Sequence, residues 1–202
     1  FTQACFGSHV EERMFPYAMQ SPVTHEAGDV FTPVTLAILE DSGWYRASYT
    51  LTDPVMWGRR RGCAFVDTPC VSGGSAADPT FCNSNGAMAC TEDHRATGLC
   101  RLSSYASNLP SAFQYFGSPN LGGRISEADY CPFVDAYGNG ACDDVANAPS
   151  INYRAQGYGP NSLCVVSSLS QTIDGSYLAN PSSRPGCYPT RCNSAGQLQL
   201  RI

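Results

Sequence analysis

Eleven cysteines, scattered from Cys5 to Cys192 at irregular gaps, constrain this chain more than any other feature. A structural zinc site needs closely spaced pairs such as Cys-x2-Cys, so that two thiolates reach one tetrahedral ion. No such pair occurs; the nearest neighbours are Cys187 with Cys192, then Cys63 with Cys70. The cysteines therefore read as disulfides made in an oxidising compartment, extracellular or luminal. Their odd number leaves one sulfur over, for a free thiol, an intermolecular bridge, or a partner beyond the ends of the chain.

A chain of 202 residues is long enough for one large domain or two small ones. Its 43% hydrophobic content argues against wholesale disorder, while 19 Gly and 14 Pro predict turns and irregular connections with few long helices. The formal charge is −5, and all twelve basic residues are arginine. With no lysine-rich face, the chain lacks the electrostatic footprint of a nucleic-acid binder. Arg59-Arg60-Arg61 is the one dense positive cluster and reads as a solvated loop. No apolar stretch approaches the length that spans a bilayer, and Phe1 begins no charged-then-apolar leader. No Asn-x-Ser/Thr acceptor remains once Asn180-Pro181-Ser182 is set aside for its proline.

The clearest helix runs over residues 31 to 43, where Thr32 suits the cap, Pro33 the first helical position and Gly43 the stop. Val34, Ala37, Ile38 and Asp41 follow one stripe, and Leu36 with Leu39 widens it, which predicts a buried element. Trp44 and Tyr45 then read as hydrophobic anchors fastening the helix to the body. From about residue 50, Gly58, Gly62, Gly73-Gly74, Gly86, Gly98 and Gly122-Gly123 cut the chain into short pieces between cysteines. Within that stapled lobe the pattern predicts short helices near Pro110 to Phe116 and Ala141 to Ala146, and strands near Cys63 to Val66 and Leu163 to Val166.

Three histidines are available for chemistry. His25-Glu26 starts like a zincin motif but continues Ala27-Gly28-Asp29, with no second histidine one turn on, so it is not read as a ligand. His94, in the charged run Thr91 to Arg95, reads as solvated loop. His9 and Met19, ten residues apart, look like half of a metzincin zinc site, its third histidine and its methionine turn, although by itself this is a weak pattern that chance could supply. No His-Glu-x-x-His accompanies them in these 202 residues.

The flanking residues turn that weak pair into a family pattern. Gly7-Ser8-His9, the methionine before Pro22, and the helix Val34 to Asp41 ending in Ser42-Gly43-Trp44-Tyr45 begin it. Val55-Met56-Trp57-Gly58 with Gly62-Cys63-Ala64-Phe65, then Phe81-Cys82-Asn83 and Phe113-Gln114-Tyr115-Phe116, continue it. Asp129-Tyr130-Cys131-Pro132 and Gly186-Cys187 with Cys192 complete it. Over essentially its whole length the sequence resembles the leishmanolysin family, zinc metalloendopeptidases of the metzincin clan.

What the resemblance implies is specific. The fold class is α+β, loop-rich and disulfide-stapled. Residues 1–68 would form the lower catalytic subdomain, with His9 as third zinc ligand and Met19 in the turn beneath the metal. Residues 69–202 would form a cysteine-rich C-terminal domain, incomplete at its C-terminal end. The implied disulfides are Cys5–Cys63, Cys70–Cys131, Cys82–Cys100, Cys90–Cys164 and Cys142–Cys187, leaving Cys192 for a cysteine further downstream. The other two histidines and the glutamate base would lie in a preceding half of the same polypeptide, so the chain by itself is expected to be inert. Expected substrates are proteins or peptides. The expected location is extracellular or at the cell surface, with any membrane anchor in a segment beyond this chain. Two readings compete: a surface adhesion or assembly protein that keeps the scaffold without catalysis, and a small disulfide-rich ligand. The buried helix over residues 31 to 45 disfavours the second of these.

Overall fold

The computed structural model describes residues 33–52, 58–176 and 182–201. They form an α+β, loop-rich architecture of short antiparallel strands and brief helical turns, tied by disulfides. By backbone proximity the chain divides into two compact units, one of residues 1–85 with 101–133, the other of residues 86–100 with 134–202. Among the described residues no helix is long and apolar enough to cross a membrane.

In the first unit, α1 spans Pro33–Asp41 and stops where expected: Gly43 takes φ 74°, and its N–H donates to the Glu40 carbonyl at 2.9 Å. Leu36 is buried, whereas Leu39, Glu40 and Asp41 are exposed, so the helix buries one side rather than all of itself. Trp44 and Tyr45 are not its anchors, being 84% and 61% exposed. The link back to the helix comes instead from Tyr49, whose O–H donates to Glu40 Oε2 at 2.7 Å.

Residues 63 to 66 make no strand. The short helix α2, Ala64–Asp67, forms there because the Ala64 carbonyl accepts from both the N–H and the hydroxyl of Thr68, which closes a helical turn. Two small antiparallel ribbons follow, β1 (Val71–Ser72) with β2 (Ser75–Ala76), and β5 (Leu102–Ser104) with β6 (Leu121–Gly123). The helix expected at 110 to 116 reduces to one 3-10 turn, Ser111–Phe113. Pro110 is extended before it, and Gln114 after it donates from Nε2 to the Leu109 carbonyl, so no second turn propagates.

Phe65, Cys70, Val71, Phe81, Tyr115 and Cys131 form the core of this unit, with Phe113 and Phe116 packed against it. The Cys70–Cys131 disulfide runs through that core, and the Phe65 and Phe81 rings stack at 5.9 Å between centroids.

The second unit carries two three-stranded antiparallel sheets. In one, β4 (Ala96–Cys100) lies between β3 (Met88–Cys90) and β7 (Val134–Ala141). In the other, β9 (Arg184–Cys192) lies between β8 (Ser162–Ser167) and β10 (Leu198–Leu200). The strand expected at 163 to 166 is β8. The helix expected at 141 to 146 is absent, because Ala141 still pairs with Ala96 as the end of β7. The Asp144 carboxylate then caps a single 3-10 turn, Val145–Asn147, by accepting from the Ala146 N–H at 2.9 Å.

Candidate functional site

His9, Met19, His25 and Cys5, and with them the expected zinc apex and methionine turn, lie outside the described residues. Among the described residues no group of three or more His, Cys, Asp or Glu side chains converges on a point that would hold a metal ion. The donors present there do not fit a zinc site. The one described histidine, His94, is held in a structural role. Its Nδ1–H donates to the Cys164 carbonyl at 2.8 Å, while the Cys164 N–H donates back to the His94 carbonyl at 2.6 Å. His94 is exposed, as expected of a loop residue, and at φ 59° its ring also clamps the loop to β8.

The disulfide framework is the best-defined chemistry of the chain. Cys70 bonds Cys131, Cys90 bonds Cys164 and Cys142 bonds Cys187. Cys63, Cys82 and Cys100 are disulfide-bonded as well, and Cys192 is exposed and has no disulfide partner among the described residues. The second unit is built around two of these bridges: Cys142, Cys164 and Cys187 are fully buried, with Cys90 and Tyr158 packed on them. The Arg59–Arg61 run is exposed, as expected, and Arg61 pairs with Asp78 at 3.5 Å.

Sequence reasoning missed a cavity of about 470 Å³ in the second unit. Tyr137 and Asn139 of β7, Arg154, Gln156 and Tyr158 of the following loop, and Arg184 at the start of β9 contribute to its walls. The loop is firmly built. Asn152 uses its carbonyl oxygen to accept from the Gln156 N–H at 2.8 Å, and its amide to donate to the Gln156 carbonyl at 2.7 Å. The hydroxyl of the fully buried Tyr188 donates to the Arg154 carbonyl at 3.2 Å. Burial, followed by the neighbouring Tyr188 phenol, pushes the Tyr158 hydroxyl above its ordinary pKa, so it stays a neutral donor at physiological pH. Nothing in the sequence pattern marks these residues, because β7 and β9 bring them together across some 50 positions of chain.

Comparison with known proteins adds the family context. The sequence matches the profile of peptidase family M8, leishmanolysin, over residues 2–202. It is 32% identical to leishmanolysin of Leishmania donovani over 198 residues, which is 97% of this chain and 31% of that protein. It is 31% identical to the leishmanolysin-like peptidase of Drosophila melanogaster over 172 residues, 70% of this chain and 25% of that protein. A leishmanolysin homolog of Crithidia fasciculata is 30% identical over 176 residues, 82% of this chain and 26% of its own length. The chain thus spans about a third or less of the relatives it matches.

Proposed function

Because the chain belongs to the leishmanolysin family, a metallopeptidase family, we propose that it is the central and C-terminal portion of a zinc metalloendopeptidase of the secretory pathway or cell surface. The observation that carries this reading is the family match across residues 2–202, which includes both His9 and Met19. In it, residues 1–68 belong to the lower catalytic subdomain and residues 69–202 to the cysteine-rich domain.

In this reading His9 would supply one neutral imidazole to the metal, and Met19 would serve as an apolar support rather than a ligand. When bound, zinc supplies Lewis acidity toward water and the peptide carbonyl. The remaining ligands and the general base come from a His-Glu-x-x-His segment that these 202 residues do not contain. Substrates are proteins or peptides. The disulfides support an oxidising location, since such bridges persist outside the reducing cytosol.

The test is the complete polypeptide, sequenced and purified from its source. It should carry an intact His-Glu-x-x-His segment and about one zinc per chain, and cleave peptides in a chelator-sensitive manner. His9→Ala should remove most of the zinc and lower cleavage by about a hundredfold or more, while Met19→Leu, close in volume, should leave the zinc content near that of the parent. A parent polypeptide lacking the glutamate, or zinc content unchanged by His9→Ala, would overturn the reading and favour an adhesion or assembly protein on the same scaffold.

A further inference from the structure

The cavity of the second unit has the composition of a ligand site. At about 470 Å³ it falls in the range of small-molecule pockets, roughly 300–1,000 Å³. Two guanidinium groups, Arg154 and Arg184, line it, and no Asp or Glu does, in a chain that carries 17 acidic residues against 12 basic ones. Concentrating arginine without any carboxylate, on an acidic protein, selects an anion.

The polar groups around those arginines are held in fixed orientations. Arg154 donates from Nη1 to the carbonyls of Ser167, at 3.4 Å, and Ser182, at 3.2 Å. Its Nε and Nη2 donors are uncommitted among the described residues. Gln156 accepts at Oε1 from the Cys187 N–H at 3.1 Å and from the Tyr158 hydroxyl at 3.4 Å, which leaves its Nε2 as a donor. Asn147, also on the wall, donates from Nδ2 to the Ala141 carbonyl at 3.1 Å and keeps its side-chain oxygen as an acceptor. Fixed amide donors and acceptors beside tyrosine rings suit a hydroxyl-bearing ring, and guanidinium forks suit its charged substituent. Because Arg154, Gln156 and Asn147 are already held by the protein, less ordering entropy opposes their part in binding.

We propose that this cavity binds an acidic saccharide, a sugar ring carrying carboxylate or sulfate, with Arg154 and Arg184 on the anion and Gln156 and Asn147 on ring hydroxyls. The site lies wholly within the second unit and draws on none of the proposed zinc residues.

Calorimetric titration of the protein with a heparin-derived tetrasaccharide, in the presence of a chelator, tests the proposal. One-to-one binding is expected, weakening as salt rises. Arg184→Gln, at an exposed position that should not disturb folding, should lower affinity by roughly tenfold, the loss of one charge-assisted hydrogen bond. Asn139→Ala, also exposed, provides a second wall variant and should lower affinity severalfold. Arg101→Gln, in the other unit, should leave it unchanged. The desulfated tetrasaccharide, which keeps its uronate carboxylates, separates the two anions: retained binding assigns the carboxylate, lost binding the sulfate, and both support the site. Absence of binding by the heparin tetrasaccharide overturns the proposal. So does equal binding by neutral tetra-N-acetylchitotetraose or by tetraglutamate, or an equal loss in Arg184→Gln and Arg101→Gln. Chelation separates this outcome from the peptidase reading, because loss of zinc leaves saccharide binding intact.

Discussion

Gly98 and Gly123 show how a single residue type carries opposite meanings in this chain. Both fall in runs that read as punctuation, yet Gly98 lies within β4 and Gly123 ends β6. A Cβ on Gly98 would stand 2.1 Å from the Asp135 carbonyl oxygen, and one on Gly123 would stand 2.3 Å from that of Cys131. These glycines permit two backbones to approach, a role that the alternative of a turn resembles in sequence. Gly98→Ala should therefore cost about 1–3 kcal/mol, as overpacked interiors do, read as a lower urea midpoint with an unchanged slope. Tyr158 makes a prediction of pH dependence. Its folded pKa is raised by burial above the ordinary value of 10.0, so the native state holds its proton longer than the unfolded chain. Stability is then fully present below about pH 10 and falls as pH rises through the raised folded value. Tyr158→Phe should flatten that alkaline decline in thermal unfolding scans between neutral and strongly alkaline buffer.

Among the elements, β9 is the least legible from sequence. Arg184–Cys192 contains Pro185, Gly186 and Pro189, a composition that ordinarily disfavours a central strand. It nevertheless pairs from Ser162↔Pro189 to Ser167↔Arg184 along β8. On its other side it meets β10 only at Thr190–Cys192, past both prolines, so neither has to donate toward that neighbour. The Cys142–Cys187 bridge ties this strand to the chain after β7, closing a separation of 45 residues. Replacing both cysteines by serine should cost about 4 kcal/mol on the loop-closure estimate. The Tyr188→Phe change, which removes a buried hydroxyl from the Arg154 carbonyl, should cost about 1 kcal/mol; chemical denaturation would order the two. The helix α1 and strand β8 were legible because each has an uninterrupted apolar pattern. The expected helices near 110 and 141 were not, because local capping and a continuing strand outweigh propensity over so few residues.

At the scale of the molecule, both units rely on sulfur where ordinary domains rely on volume. Cys70 and Cys131 sit in the core of the first, and Cys142, Cys164 and Cys187 make up the buried cluster of the second. Reduction under native conditions should therefore abolish near-ultraviolet circular dichroism and raise proteolytic susceptibility, while the oxidised chain resists both. Retention of tertiary signal after complete reduction would show that the apolar contacts suffice. Composition and cysteine spacing were enough to establish the loop-rich, stapled class, because it follows from residue counts and from the reach of two thiolates toward one ion. Motifs along the chain were enough to establish the family. Chain order alone leaves open which cysteines meet, since a disulfide depends on distance through space and the three defined bridges span 45 to 74 positions. The cavity belongs to the same kind of knowledge: its two arginines are unremarkable at positions 154 and 184, and only the folding of β7, β9 and the loop between them sets both on one wall-lined space.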